Sequence, residues 1–234
     1  MARAWILAVA LAAAACGSPE SPRASRESHA PQALQAPKAP QAPRIVILGD
    51  SLTAGLGLRV EQSYPSLLQQ RLNDAGLRYE VVNAGVSGDT SAGGLSRLDW
   101  SLQGEVRILI VALGGNDALR ALPAEQLKKN LTQIVERAQA RGVTVILAGM
   151  EAPTNWGRDY DVSFHRVYPA VAQRYHLAFV PFLLQGVAGS EALNQRDGIH
   201  PTAAGARIVA DNVWAVLKPI AEQGQQKREG RGGS

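Results

Sequence analysis

The residue with the strongest claim to chemistry is Ser51. It follows Ile45-Val46-Ile47-Leu48-Gly49-Asp50, an apolar, β-branched run of strand length that stops at a glycine. In an open parallel α/β sheet, ligands bind outside the carboxyl ends of the strands. A serine there is exposed on a rigid support, beside the backbone N–H groups of the next turn, where a nucleophile belongs. The same Gly49-Asp50-Ser51 also makes an ordinary turn that caps a helix. A serine hydroxyl stays a weak nucleophile until an adjacent base takes its proton. Asp197-Gly198-Ile199-His200 offers an imidazole, the side chain suited to that work near neutral pH. Its aspartate is close enough in sequence to reach the same ring.

The elements that must position these residues alternate between strand and helix. After the first strand, Pro65 to Ala75 carries Leu67, Leu68 and Leu72 on one helical face, with Gly76 just beyond. Tyr79 to Asn83 reads as a second strand. Val106 to Leu113 is a near-continuous apolar run, as expected of a strand covered on both faces. Pro123 to Arg141 places Leu127, Leu131, Ile134, Val135 and Ala138 at helical spacing. Val143 to Ala148 is a fourth strand, Val162 to Tyr175 a helix, and Leu177 to Val180 a short fifth strand. Pro201 opens a last helix with Val209, Val213 and Leu217 on one face. This alternation predicts a five-stranded parallel sheet wrapped by helices, a three-layer α/β/α sandwich of flavodoxin-like type. Five strands are too few for an eight-stranded barrel.

Each strand end leads into an unusual loop. They are Gly49-Asp50-Ser51-Leu52, Ser87-Gly88-Asp89-Thr90, Gly114-Gly115-Asn116-Asp117, Glu151 to Gly157, and Asp197-Gly198-Ile199-His200-Pro201. In parallel strands all of them face one edge of the sheet. The combination resembles the SGNH (GDSL) hydrolase superfamily, and its spacing is similar to the bacterial arylesterase, thioesterase and lysophospholipase branch over about Arg44 to Leu217. The resemblance implies Ser51 as nucleophile, His200 as base and then acid, and Asp197 as the carboxylate that orients the imidazole. It also implies an oxyanion hole from the Ser51 and Gly88 backbone N–H groups and the Asn116 side chain. Gly85 competes with Gly88 for that role, but only Gly88 stands in the Ser-Gly-Asp-Thr block. Asp50, Asp89 and Asp117 read as loop braces, and His29, His165 and His176 as structural. For the substrate wall, the loop Met150 to Tyr160 offers Pro153, Trp156 and Tyr160 as apolar or amphipathic surface.

The implied function is hydrolysis of small-molecule or lipid esters and thioesters. Two rivals stay open: a carbohydrate O-deacetylase with the same machinery, and a flavodoxin-like binding lipoprotein with Gly49 to Gly57 around a phosphate. Ser51 is not in a G-x-S-x-G elbow, which disfavours the α/β-hydrolase fold. Neither a metal-spaced His/Cys/carboxylate cluster nor a P-loop is present in the sequence, so no cofactor is expected.

Net charge is only +4 over 234 residues, with the basic residues scattered or in the last few positions, so nucleic acid is not an expected partner. Ala4 to Ala15 is an apolar run shorter than a bilayer span, ending at the sole cysteine, Cys16. That pattern resembles the lipidation site of bacterial lipoproteins. It predicts a signal peptide over 1–16, an acylated Cys16 as membrane anchor, and a periplasmic or outer-membrane location. Residues 17–43 are rich in Pro, Ala, Ser and Gln and read as a disordered tether. The folded domain is expected over 44–222, with a second disordered tail over 223–234.

Overall fold

The computed structural model of the protein describes residues 42–232. Cys16, the predicted signal peptide and nearly all of the predicted tether lie outside the described residues. The strands are β1 (Arg44–Gly49), β2 (Glu80–Gly85), β3 (Val106–Ala112), β4 (Thr144–Ala148) and β5 (Ala178–Val180). They form one parallel sheet in the order β2-β1-β3-β4-β5. This is the flavodoxin-like strand order. Because the chain leaves β1 toward β2 on one side and β3 lies on the other, the crevice at the end of β1 is the topological switch point.

Long helices cover the two faces. α2 (Tyr64–Asp74) packs with α8 (Ala203–Gly232), while α6 (Ala124–Ala140) packs with α3 (Ser91–Ser96) and α7 (Arg158–Arg174). Ile45, Val46, Ile47 and Leu48 of β1 are all buried, as are Ile108 to Ala112 of β3, so both faces of the central strands are dry. Leu127, Leu131, Ile134 and Val135 of α6 close one side, and Val209, Val213 and Leu217 of α8 the other. Burying side chains of this size contributes about 1.5–3 kcal/mol each, which is what holds the strand ends at a fixed height.

Two short helices follow strand ends, α1 (Ser51–Ala54) after β1 and α5 (Gly115–Leu119) after β3, and a third, α4 (Leu98–Ser101), lies between α3 and β3. The C-terminal tail departs from expectation. α8 does not stop near Glu222 but runs through to Gly232. An existing helix extends without a new nucleation cost, and Gln, Lys and Arg propagate it well. The added turns are also tied down. Gln225 Oε1 accepts the Arg78 backbone N–H at 2.8 Å, Glu229 pairs with the Arg78 guanidinium at 2.9 Å, and Arg228 lies over the Tyr79 ring with its centroid 4.4 Å away.

Candidate active site

At the end of β1 the chain turns directly into α1. Asp50 caps this helix, its Oδ1 accepting the Leu52 backbone N–H at 3.0 Å, and Ser51 is the first helical residue. Position one of a helix has an N–H without an intrahelical acceptor. The Ser51 hydroxyl lies 2.8 Å from His200 Nε2, and His200 Nδ1 lies 2.7 Å from Asp197 Oδ2.

Asp197 is held as an anion. Its Oδ1 accepts the backbone N–H groups of His200 at 3.0 Å and Ile199 at 2.9 Å. These bonds, with the His200 ring, draw its carboxyl down to about 2. An ionised carboxylate only accepts, so the neutral imidazole carries its proton on Nδ1 and turns the Nε2 lone pair toward the Ser51 O–H. The histidine loop is fastened to α1 by Gln195. Its N–H donates to the His200 carbonyl at 2.7 Å, and its Nε2 donates to the carbonyls of Leu56 at 2.7 Å and Pro201 at 3.0 Å.

Gly88 and Asn116 reach the same cleft as Ser51 and His200, a space of about 460 Å³. Gly88 has φ +85°, a left-handed conformation that favours glycine, and its carbonyl accepts from Arg120 at 2.9 Å. That bond holds the Gly88–Asp89 peptide, the one after the peptide that carries the Gly88 N–H. Among the described contacts, the backbone N–H groups of Ser51 and Gly88 donate to no protein acceptor. Gly85 is placed differently: it ends β2, where an added Cβ would stand 2.2 Å from the Ala54 nitrogen. Asn116, in the first turn of α5, donates from Nδ2 to the Asp89 carbonyl at 3.0 Å and to Asp50 Oδ2 at 3.4 Å.

The three predicted braces all bind across loops. Asp117 accepts from the Ser91 N–H at 2.7 Å and the Ser91 hydroxyl at 2.5 Å. Asp89 pairs with Arg97 at 2.6 Å, and Arg97 also donates to the carbonyls of Ala84 and Gly49, both at 2.8 Å. Asp50 is buried, and loss of solvent raises its carboxyl from 3.8 to about 6 against the hydrogen bonds that oppose the rise.

The predicted substrate wall divides. Pro153 lines the cleft, but Trp156 and Tyr160 do not. Tyr160 is turned toward the core, its phenol donating to the Leu122 carbonyl at 2.9 Å and its ring stacked on Phe164. Trp156 sits in a single 3-10 turn with its ring half in solvent. The apolar lining comes instead from Leu56, Leu119, Met150, Phe182, Leu184 and Ile199. The sequence signal for Met150 and Phe182 was their place just past the ends of β4 and β5. His165 is also not alone: its Nδ1 lies 2.8 and 3.0 Å from the two oxygens of Glu151, a cleft residue.

Residues 47–208 match the model of the GDSL-like lipase/acylhydrolase family. The chain belongs to that family. As a GDSL-like acylhydrolase it is an ester-hydrolysing enzyme, and it is 48% identical to esterase TesA of Pseudomonas aeruginosa over 75% of this chain and 88% of that protein. It is 36% identical to thioesterase 1/protease 1/lysophospholipase L1 of Escherichia coli K12, over 75% of this chain and 84% of the relative. Among solved structures, the crystal structure of TesA superposes with a TM-score of 0.73 at 46% identity, covering 76% of this acylhydrolase and 99% of that chain.

Proposed function

We propose that this acylhydrolase cleaves carboxylic esters and thioesters of small-molecule or lipid origin through an acyl-enzyme on Ser51. The observation that carries the reading is the unbroken relay from Ser51 Oγ through His200 to Asp197, with links of 2.8 and 2.7 Å, at a cleft that also holds Gly88 and Asn116. Ser51 Oγ attacks the carbonyl carbon while its proton passes to His200 Nε2. Asp197, an anion, balances the imidazolium and keeps the ring in place. The charge developing on the carbonyl oxygen meets the N–H groups of Ser51 and Gly88 and the Asn116 amide. The contact of that amide to Asp50, at 3.4 Å the longer of its two, is the one free to yield. The tetrahedral intermediate collapses as His200 returns the proton to the departing alcohol or thiol. Water then repeats the sequence and releases the acid, restoring Ser51. The mostly apolar wall favours an acyl chain over a sugar ring in this cleft, which ranks ester and thioester hydrolysis above deacetylation of a glycan.

Ser51→Ala and His200→Ala should each lower kcat by several orders of magnitude while the circular dichroism spectrum is unchanged. The double variant should be hardly worse than either, because nucleophile and base act as one unit. A serine-directed phosphonate should label Ser51 alone. Full turnover by folded Ser51→Ala, or label on another serine, would overturn the mechanism.

A further inference from the structure

The cleft has an uneven charge. The ionisable side chains that line it are Asp50, Glu151 and His200, and among the described residues no lysine or arginine does. Arg120, next to the lining residue Leu119, is turned to the Gly88 carbonyl and stays outside the lining, though it keeps its charge. Asp50 is buried under the nucleophile turn and inaccessible to a ligand. Glu151 differs in kind. It directly follows Met150 past the end of β4, between apolar lining residues Met150, Ala152 and Pro153, with its side chain about one-third exposed.

Its orientation is set from outside the cleft. His165, about two turns into α7, approaches both carboxylate oxygens with the same Nδ1. One N–H cannot satisfy two carboxylate oxygens, which together offer about four acceptor sites. The unused lone pairs belong to a side chain that contributes to the cleft surface. A single carboxylate set among aliphatic groups suits a particular ligand chemistry: a cation with an apolar coat, such as a quaternary ammonium, whose methyls contact the wall while its charge is balanced.

We infer that Glu151, positioned by His165, is a specificity residue that makes the cleft select esters carrying a cationic, alkyl-coated group over neutral isosteres. The inference rests on the serine esterase reading of the same cleft. The cation could enter on the alcohol side or the acyl side of the ester, and two pairs of compounds separate these. Acetylcholine is compared with 3,3-dimethylbutyl acetate. The p-nitrophenyl ester of 4-(trimethylammonio)butanoic acid is compared with that of 5,5-dimethylhexanoic acid. Each pair differs only in charge at one quaternary centre. The assays run in low salt, where the attraction is least screened.

The readout is the ratio of kcat/KM within a pair, in which any general loss of activity cancels. In the wild type we expect about a tenfold preference for the cation in one pair, about 1.4 kcal/mol. Glu151→Gln, which keeps shape and a hydrogen bond to His165, should bring the ratio near one, and Glu151→Lys should invert it. His165→Gln should give an intermediate ratio, since the carboxylate remains but loses its anchor. Calorimetric binding of the same four compounds to Ser51→Ala measures the preference without turnover. A ratio at or below one in both pairs, or one that Glu151→Gln leaves unchanged, overturns the inference. Absence of turnover with the binding preference intact would instead count against the serine mechanism and leave Glu151 assigned.

Discussion

Replacing Asp50 by asparagine should make the protein more stable at alkaline pH, less stable in acid, and slower at every pH. Burial raises the Asp50 carboxyl from 3.8 to about 6. In the unfolded chain the group ionises near 3.8, so between pH 4 and 6 the native state holds a proton that the unfolded state has lost. Native stability therefore falls as pH rises through that window and levels off above it. At 1.36 kcal/mol for each tenfold change in proton affinity, the full cost at pH 8 is about 3 kcal/mol. Asparagine removes it. The substitution also has a cost, because the carboxylate has two jobs: Oδ1 accepts the Leu52 N–H and Oδ2 accepts the Asn116 amide. An amide can do only one, and the other contact becomes donor against donor, at about 1 kcal/mol. The net expectation for Asp50→Asn is a gain of about 2 kcal/mol at pH 8 and a loss of about 1 kcal/mol below pH 4. Asp197 does not confuse the measurement. Its carboxyl is held at about 2, so its stabilising effect is present above 3.8 and disappears only as pH falls through about 2. Urea unfolding of both proteins from pH 4 to 8 gives the difference directly. Turnover should fall about tenfold, since the Asn116 amide loses the acceptor that helps fix its orientation, against 10²–10³ for loss of a whole oxyanion donor. A stability difference that is independent of pH, or a variant weaker than the wild type at pH 8, would refute the reasoning.

Asn116→Ala should lower kcat by 10²–10³ with KM changed little, because the amide matters most once charge develops on the carbonyl oxygen; steady-state kinetics with a short ester will show the split. Trp156→Ala should leave the chain-length profile of an ester panel as it is, whereas Met150→Ala should shift it toward bulkier acyl groups, since only Met150 lines the cleft. We also propose that the sole cysteine ends a lipoprotein signal, so Cys16→Ser should release the protein from membranes or block its processing; an unlipidated mature N-terminus elsewhere, found by mass spectrometry, would rule this out.

The strands and long helices were legible because their burial demands patterns that survive in one dimension. β3 is covered on both faces and reads as an unbroken apolar run, and α6 shows its buried stripe at helical spacing. The blocks at the strand ends stood out because glycines and polar residues interrupt those runs at the positions where a parallel sheet exposes its loops. Four-, five- and six-residue helices such as α4, α5 and α3 offer no such period and went unread. The cleft wall was misplaced for a related reason. Trp156 and Tyr160 have the composition of a binding surface, but α7 begins at Arg158 and turns Tyr160 onto Phe164. The Glu151–His165 contact joins the end of β4 to the middle of a helix, a distance that no local pattern encodes.

The aspartates read as loop braces explain how the first three of these loops hold one geometry. Each ties its own block to another element, and Asp50 does so while also capping its own turn. Asp50 links the nucleophile turn to Asn116, Asp117 links α5 to Ser91 at the start of α3, and Asp89 engages Arg97, which reaches the last carbonyl of β1 and a carbonyl of β2. Asn130 of α6 extends the chain by donating to the Ser91 hydroxyl at 2.9 Å. These groups are largely buried, so removing one partner leaves the other unsatisfied at about 1–3 kcal/mol. A cost of that size on each link resists the loops drifting independently. An apolar core could have set the height of the strand ends, but it has no directional preference at the ångström scale. Directional bonds between blocks supply it, which is why the residues around the nucleophile are so polar in a place that burial alone would have filled with leucine.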